Sequence, residues 1–105
     1  MRKMAILKDL YIRKEWGKMK VIKRDGRTIE FDREKIEVAI EKANKEVRGK
    51  EKATKDEING IISYIEDLGK KRMLVEDIQD VIEEKLMELD KYELAKKYIV
   101  YRYTR

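Results

Sequence analysis

"VIKRDGRTIEFDREKI", residues 21–36, is the stretch that decides the fold. Two β-rich runs meet at Asp25-Gly26, the two-residue signal for a type I′ hairpin turn. The second run leads without a gap into Asp32, a good N-cap residue, and then into apolar residues at helical spacing. A two-residue turn predicts that Arg24 faces Arg27, Lys23 faces Thr28, Ile22 faces Ile29 and Lys20 faces Phe31. Ile22, Ile29 and Phe31 then share the buried face, and Lys23 lies on the opposite, solvated one.

The charges in this stretch are placed against local preference. Like charges directly opposite on a hairpin repel by a few tenths to ~1 kcal/mol. A cation in the first helical turn, as Lys35 is, loses roughly 0.3–1 kcal/mol against the helix dipole. An anion held between hairpin tip and helix entrance would turn these costs into attractions. It would meet free backbone N–H groups together with Lys23, Arg24 and Lys35. The plainer reading is that charged residues are common at exposed turns and that Lys35 pairs with a carboxylate or lays its stem over apolar surface. The residues alone leave both readings open.

Downstream the pattern is helical. Ile36, Ala39, Ile40, Ala43 and Val47 predict a first helix from Asp32 to near Gly49, with "RGKEK" as a loop. Thr54 and Glu57 form a capping-box pattern ahead of Ile58, Ile61, Ile62, Ile65 and Leu68, and Gly69 stops that helix. A third helix carries Val75, Ile78, Val81, Ile82, Leu86 and Leu89. Asp90 is expected to cap a fourth, with Leu94, Ala95, Tyr98, Ile99 and Arg102 along one side. The fold class is therefore α+β, a small β-hairpin or three-stranded sheet packed on a four-helix bundle. Residues 1–19 read as an N-terminal extension, an extra strand, a helix or a loose segment, and residues 20–105 as the domain.

At 105 residues the chain has room for one domain with a modest core. No run of 18 apolar residues exists and the start lacks the features of a signal peptide, so a cytoplasmic setting is expected. Charged residues make up 47% of the chain, mostly Lys and Glu, with two Asn and one Gln, a thermophile-like balance. The net charge of +5 is uneven. Residues 1–35 hold 12 cations against 6 anions, residues 36–90 hold 10 against 15, and residues 91–105 hold 5 against 1. Basic ends around an acidic middle build one positive surface if the ends meet, and anions are the expected partner.

The sequence has neither His nor Cys, and Ser63 is its only serine, so triads, thiolates and imidazole bases are excluded. Glu83-Glu84 and Asp77 with Asp80 read as solvated helix faces, and no metal site is expected. "GKK" at 69–71 lacks the rest of a phosphate loop. A binding role is expected, not an enzyme.

Three blocks narrow the partner. "VIKRDGRTIEFDREKIEVAIEKA", "VEDIQDVIEEKLMEL" and "ELAKKYIVYRYTR" are similar to the signature blocks of the ATP-cone, the nucleotide-binding regulatory domain of ribonucleotide reductases and of the transcriptional repressor of their genes. The resemblance covers residues 20–105. It implies ATP or dATP, with Mg2+ as a companion ion, bound between a small sheet and the helices. By the same resemblance, Lys23, Arg24 and Lys35 approach the phosphates, Ile29, Glu30, Phe31 and Asp32 line the nucleoside, and Val21 and Ile36 belong to the same nucleotide site. Gln79 faces the ligand from the third helix, and Arg102 and Arg105 close over the phosphates. Family members often carry Ser or Thr just before the third helix, where this chain has Met73, Leu74 and Val75.

The resemblance implies a sensor of adenine nucleotide that controls assembly or activity of an attached or partner protein. The partner is a ribonucleotide reductase-type protein or a second copy in a homo-oligomer, for which Tyr101 and Tyr103 are candidate contacts. Two other readings stand beside it. One is a small basic DNA-binding protein, which lacks a recognition helix rich in Arg, Asn and Gln. The other is a degenerate cone acting only as a protein-interaction domain.

Overall fold

A computed structural model describes residues 19–103. The N-terminal extension, except Met19, and Arg105 lie outside the described residues. Strand β1 (Lys20–Ile22) is central, flanked by antiparallel β2 (Thr28–Glu30) and parallel β3 (Arg72–Leu74). Four helices complete the α+β fold: α1 (Arg33–Asn44), α2 (Lys55–Asp67), α3 (Val75–Glu88) and α4 (Tyr92–Tyr103). Among the described residues no helix is long and apolar enough to cross a membrane.

The hairpin forms where expected, but one residue out of the predicted register. Lys20 pairs with Glu30, Val21 with Ile29 and Ile22 with Thr28. Lys23 N–H donates to Arg27 O at 2.8 Å, and Gly26 N–H to Lys23 O at 2.9 Å. The loop is therefore three residues long, Arg24-Asp25-Gly26, with Gly26 at φ +88° closing a turn that only glycine enters easily. The Asp25 carboxylate fixes it, accepting from Arg27 N–H at 3.0 Å and Arg27 Nε at 2.7 Å.

A slip of one residue exchanges the two faces of a strand. Met19 and Val21, not Ile22, join Ile29 and Phe31 against the helices, and Ile22 is only half-buried. Lys23, in step with Met19 and Val21, moves from the solvated face to the helix side. Arg24 no longer faces Arg27. The cation opposite Arg27 is Lys23.

The third strand of the described sheet comes from residues 72–74, which the sequence pattern assigns to no element. Met73 pairs with Val21 and is buried. Three residues are too few for a period-two signal, and their partner lies about fifty positions earlier in the chain.

Asp32 caps α1 as predicted, its carboxylate accepting from Glu34 N–H at 3.0 Å. The helix ends at Asn44, short of Gly49, because the Asn44 amide clasps the Ala53 backbone. It donates to Ala53 O at 2.8 Å and accepts from Ala53 N–H at 2.9 Å. The capping box of α2 is complete, with Thr54 N–H to Glu57 Oε1 at 2.8 Å and Glu57 N–H to Thr54 Oγ1 at 3.1 Å. Helix α3 starts at Val75, and Leu74 at its N-cap position supplies no side-chain cap.

Asp90 does not open α4; it closes α3. Its φ of +61° and the bonds Asp90 N–H to Met87 O and Lys91 N–H to Leu86 O form a Schellman motif. The start of α4 is capped from a distance, by the Glu51 carboxylate accepting from Glu93 N–H at 3.0 Å.

Ile40, Ile62, Ile65, Leu86 and Leu94 are completely buried and join all four helices. Each such side chain contributes about 1.5–3 kcal/mol by leaving water. Leu68 and Leu89, assigned by spacing to the apolar stripes, sit at helix ends and are exposed.

Candidate functional site: a cleft between sheet and helices

The hairpin, α1, α3 and α4 enclose a cleft of about 710 Å³. That volume lies within the roughly 300–1,000 Å³ of small-molecule sites. One end is the hairpin tip, with Lys23, Arg24 and Arg27. Residues 29–32 form the adjoining wall, continued along α1 by Lys35, Ile36, Ala39 and Lys42. Val75, Ile78, Gln79 and Ile82 come from α3, and Tyr98, Tyr101 and Arg102 from α4.

The structure brings together Val21, Lys23, Arg24, Ile29, Glu30, Phe31, Asp32, Lys35, Ile36, Gln79 and Arg102, all selected from the sequence. It adds Arg27, Lys42, Tyr98 and Tyr101, which the sequence reading passed over as cleft residues. Lys42 had a visible signal. It continues the series Asp32, Lys35 and Ala39 along one face of α1, each step three or four residues. Its Nζ lies 6.0 Å from the centre of the Tyr101 ring, at the edge of cation–π range.

The cations differ in how they are matched. Lys23 and Lys35 make no ion pair among the described residues. Arg24 Nε lies 3.4 Å from Glu76, with both side chains more than half exposed, so this bond is weak and easily exchanged. Arg27 is held by Asp25, and its backbone and side-chain bonds hold the Asp25 carboxyl below the usual carboxylate range.

The α1 entrance is less open than the sequence suggests. Glu34 N–H is taken by Asp32, and Lys35 N–H donates to Asp32 O at 3.1 Å. Two of the backbone donors expected to be free there are already used.

The α3–α4 corner is built differently. Arg102 Nη1 donates to Asp80 Oδ1 at 3.0 Å and to Glu83 Oε2, and the side chain is 7% exposed. Glu83 is therefore no solvated surface group, whereas Glu84 and Asp77 are exposed as expected. Burial alone would lower the Arg102 pKa, but the bonds to Glu83 and Asp80 outweigh it and the net shift is upward. Burial also pushes the Tyr98 hydroxyl well above its ordinary range. Two buried polar atoms at this end, Gln79 Oε1 and Arg102 Nε, have no hydrogen-bond partner among the described residues. Unpaired buried polar atoms are costly, and an acceptor and a donor left over are groups that a polar ligand could satisfy.

Comparison with known proteins gives the family. The sequence model of the ATP cone domain matches residues 19–105. The chain belongs to the ATP-cone family. This cone is 35% identical over 104 residues to the ribonucleoside-diphosphate reductase subunit alpha of Chlamydia trachomatis, covering 89% of the chain and 10% of that protein. It is 38% identical over 91 residues to the vitamin B12-dependent ribonucleoside-diphosphate reductase of Thermoplasma acidophilum, covering 81% of the chain and 12% of the enzyme. Against the transcriptional repressor NrdR of Chelativorans sp. it is 33% identical over 89 residues, 81% of the chain and 55% of the repressor. The chain thus spans about a tenth of the reductases and about half of the repressor. The cone is homologous to regulatory, not catalytic, regions of these proteins.

Proposed function

We propose that the cleft binds an adenine nucleoside triphosphate, ATP or dATP, and that its occupancy controls how an attached or partner protein assembles or works. A ribonucleotide reductase-type protein, or a second copy of the cone, is the partner this reading favours. The observation that carries the proposal is the pair of unmatched cations, Lys23 and Lys35, on a cleft that also holds the unpaired Gln79 Oε1 and Arg102 Nε. Lys23, Arg24 and Lys35 would face the phosphates. The wall of Ile29, Glu30, Phe31 and Asp32, with Val21 and Ile36 behind it, would hold the nucleoside. Helix α3 supports the same placement, since its first turn lacks a side-chain cap and Val75 borders the cleft. Any Mg2+ would arrive with the triphosphate. The nucleotide acts by differential affinity for two assembly states, because a ligand that binds both states equally shifts nothing.

Calorimetric titration with ATP, dATP and GTP, with and without Mg2+, tests the reading. Saturable binding of both adenine nucleotides is expected, with a rise in melting temperature. At a hundredfold excess over Kd the stabilisation is about 2.7 kcal/mol. No heat with any of the three would leave the cone as a protein-interaction domain.

A further inference from the structure

We infer that Arg102 serves the cleft as a clasp between α3 and α4, and not as a ligand for phosphate oxygens. The resemblance gave it the second role. Its surroundings favour the first. One nitrogen, Nη1, donates to both Asp80 and Glu83, so a single positive charge faces two negative ones. A triphosphate brought to that corner would meet net negative charge. The side chains of Arg102 and Glu83 are 7% and 19% exposed, so drawing the guanidinium away would leave a largely buried carboxylate unpaired. Breaking a buried pair in this way is among the more expensive changes a protein can make. Lys23 and Lys35 carry no such tie.

The clasp sits where it can set the width of the cleft. Asp80 and Glu83 are next in sequence to Gln79 and Ile82, which form the α3 wall, and Arg102 follows Tyr101 in the α4 wall. With Nη1 occupied by Asp80 and Glu83, Nε is left buried without a partner, and the charge behind the remaining N–H groups is already matched by two carboxylates.

Two measurements decide the matter. The first uses the nucleotide-free protein and compares thermal unfolding of Arg102→Met, Glu83→Met and the double variant. A clasp predicts that each single change lowers the melting temperature by more than about 5 °C, and that the double variant loses clearly less than the two losses added. Losses that simply add would overturn the clasp. The second rests on the nucleotide reading and titrates ATP and AMP into Arg102→Gln, well below its melting temperature. The two affinities are expected to fall by a common factor, to within about twofold. A loss at least tenfold larger for ATP than for AMP would restore the phosphate role and sink the inference. If Arg102→Gln does not fold, Arg102→Lys, which keeps one ion pair, is titrated under the same criterion. A wild-type chain that binds neither nucleotide removes the proposed function alone, and the unfolding comparison still decides the clasp.

Discussion

The cleft has two basic corners, and they hold their charge in opposite ways. At the hairpin tip the cations are exposed or half-buried, and Lys23 and Lys35 are unmatched, while Arg24 is held only by an exposed 3.4 Å pair with Glu76. At the α3–α4 corner one cation is buried and answered by two carboxylates. The difference shows that environment, and not residue type, divides the work. A charge left in water costs the fold little and stays free to meet an anion. A charge taken out of water must be matched, and once matched it holds helices instead.

The largest test of this contrast is in stability. Arg102→Met should cost about 3 kcal/mol, the low end for a broken buried pair because Asp80 stays open to water. Lys35→Ala should be neutral within about 0.5 kcal/mol, or slightly stabilising, since it removes a cation from a helix N-terminus. Urea unfolding of both variants measures the difference, and equal losses would erase the distinction between the corners. The next effect reverses the order. Lys23→Ala and Lys35→Ala should each weaken ATP by tenfold or more, about 1.4 kcal/mol, and the pair together should abolish the nucleotide-dependent melting shift. An ATP affinity unchanged in both would show that the unmatched charges are idle.

Gly26→Ala probes whether the tip must be shaped as well as charged. Nothing lies within 4 Å of an added Cβ, so the cost is conformational, about 1 kcal/mol from forcing alanine to φ +88°. ATP affinity should fall with it although no cation is removed. Retained affinity would mean that charge alone suffices there.

The contrast also explains what could be read from the residues in advance. The hairpin, the capped start of α1, the capping box of α2 and all four helices were legible, because each rests on neighbours in the chain. The register was not. Asp25-Gly26 fits a two-residue turn or the end of a three-residue loop, and adjacent Val21 and Ile22 satisfy either face. What decides is burial of Met19 and Val21 beside Met73, a contact the local sequence does not contain. Asp90 misled for a similar reason, since a residue that caps a following helix can equally occupy the left-handed position ending the one before it. The cleft residues of the hairpin and α1 follow from one continuous stretch. The role of Arg102 depends on how α3 crosses α4, and spacing along Asp80 and Glu83 says only that they share a face.

The smallest effect concerns Asp25, which bonds to Arg27 and attracts Lys23 only through space. Its bonds to Arg27 place its folded pKa below the ordinary 3.8. A depressed carboxylate stabilises the fold above its unfolded pKa and loses that contribution as pH falls through the lower, folded value. The advantage of the wild type over Asp25→Asn should therefore be constant near neutral pH and shrink as the pH drops below 3.8. Because the group is fully exposed, the change should be small and further reduced by salt. The same substitution frees Arg27 opposite Lys23 and adds one unmatched positive charge to the tip. If the tip recruits phosphate, Asp25→Asn should bind ATP more tightly than the wild type at low ionic strength, and the gain should fade as salt is added. Weaker binding at every salt concentration would mean that Asp25 acts by holding the loop in shape, so that geometry outranks charge even at the corner where charge is most exposed.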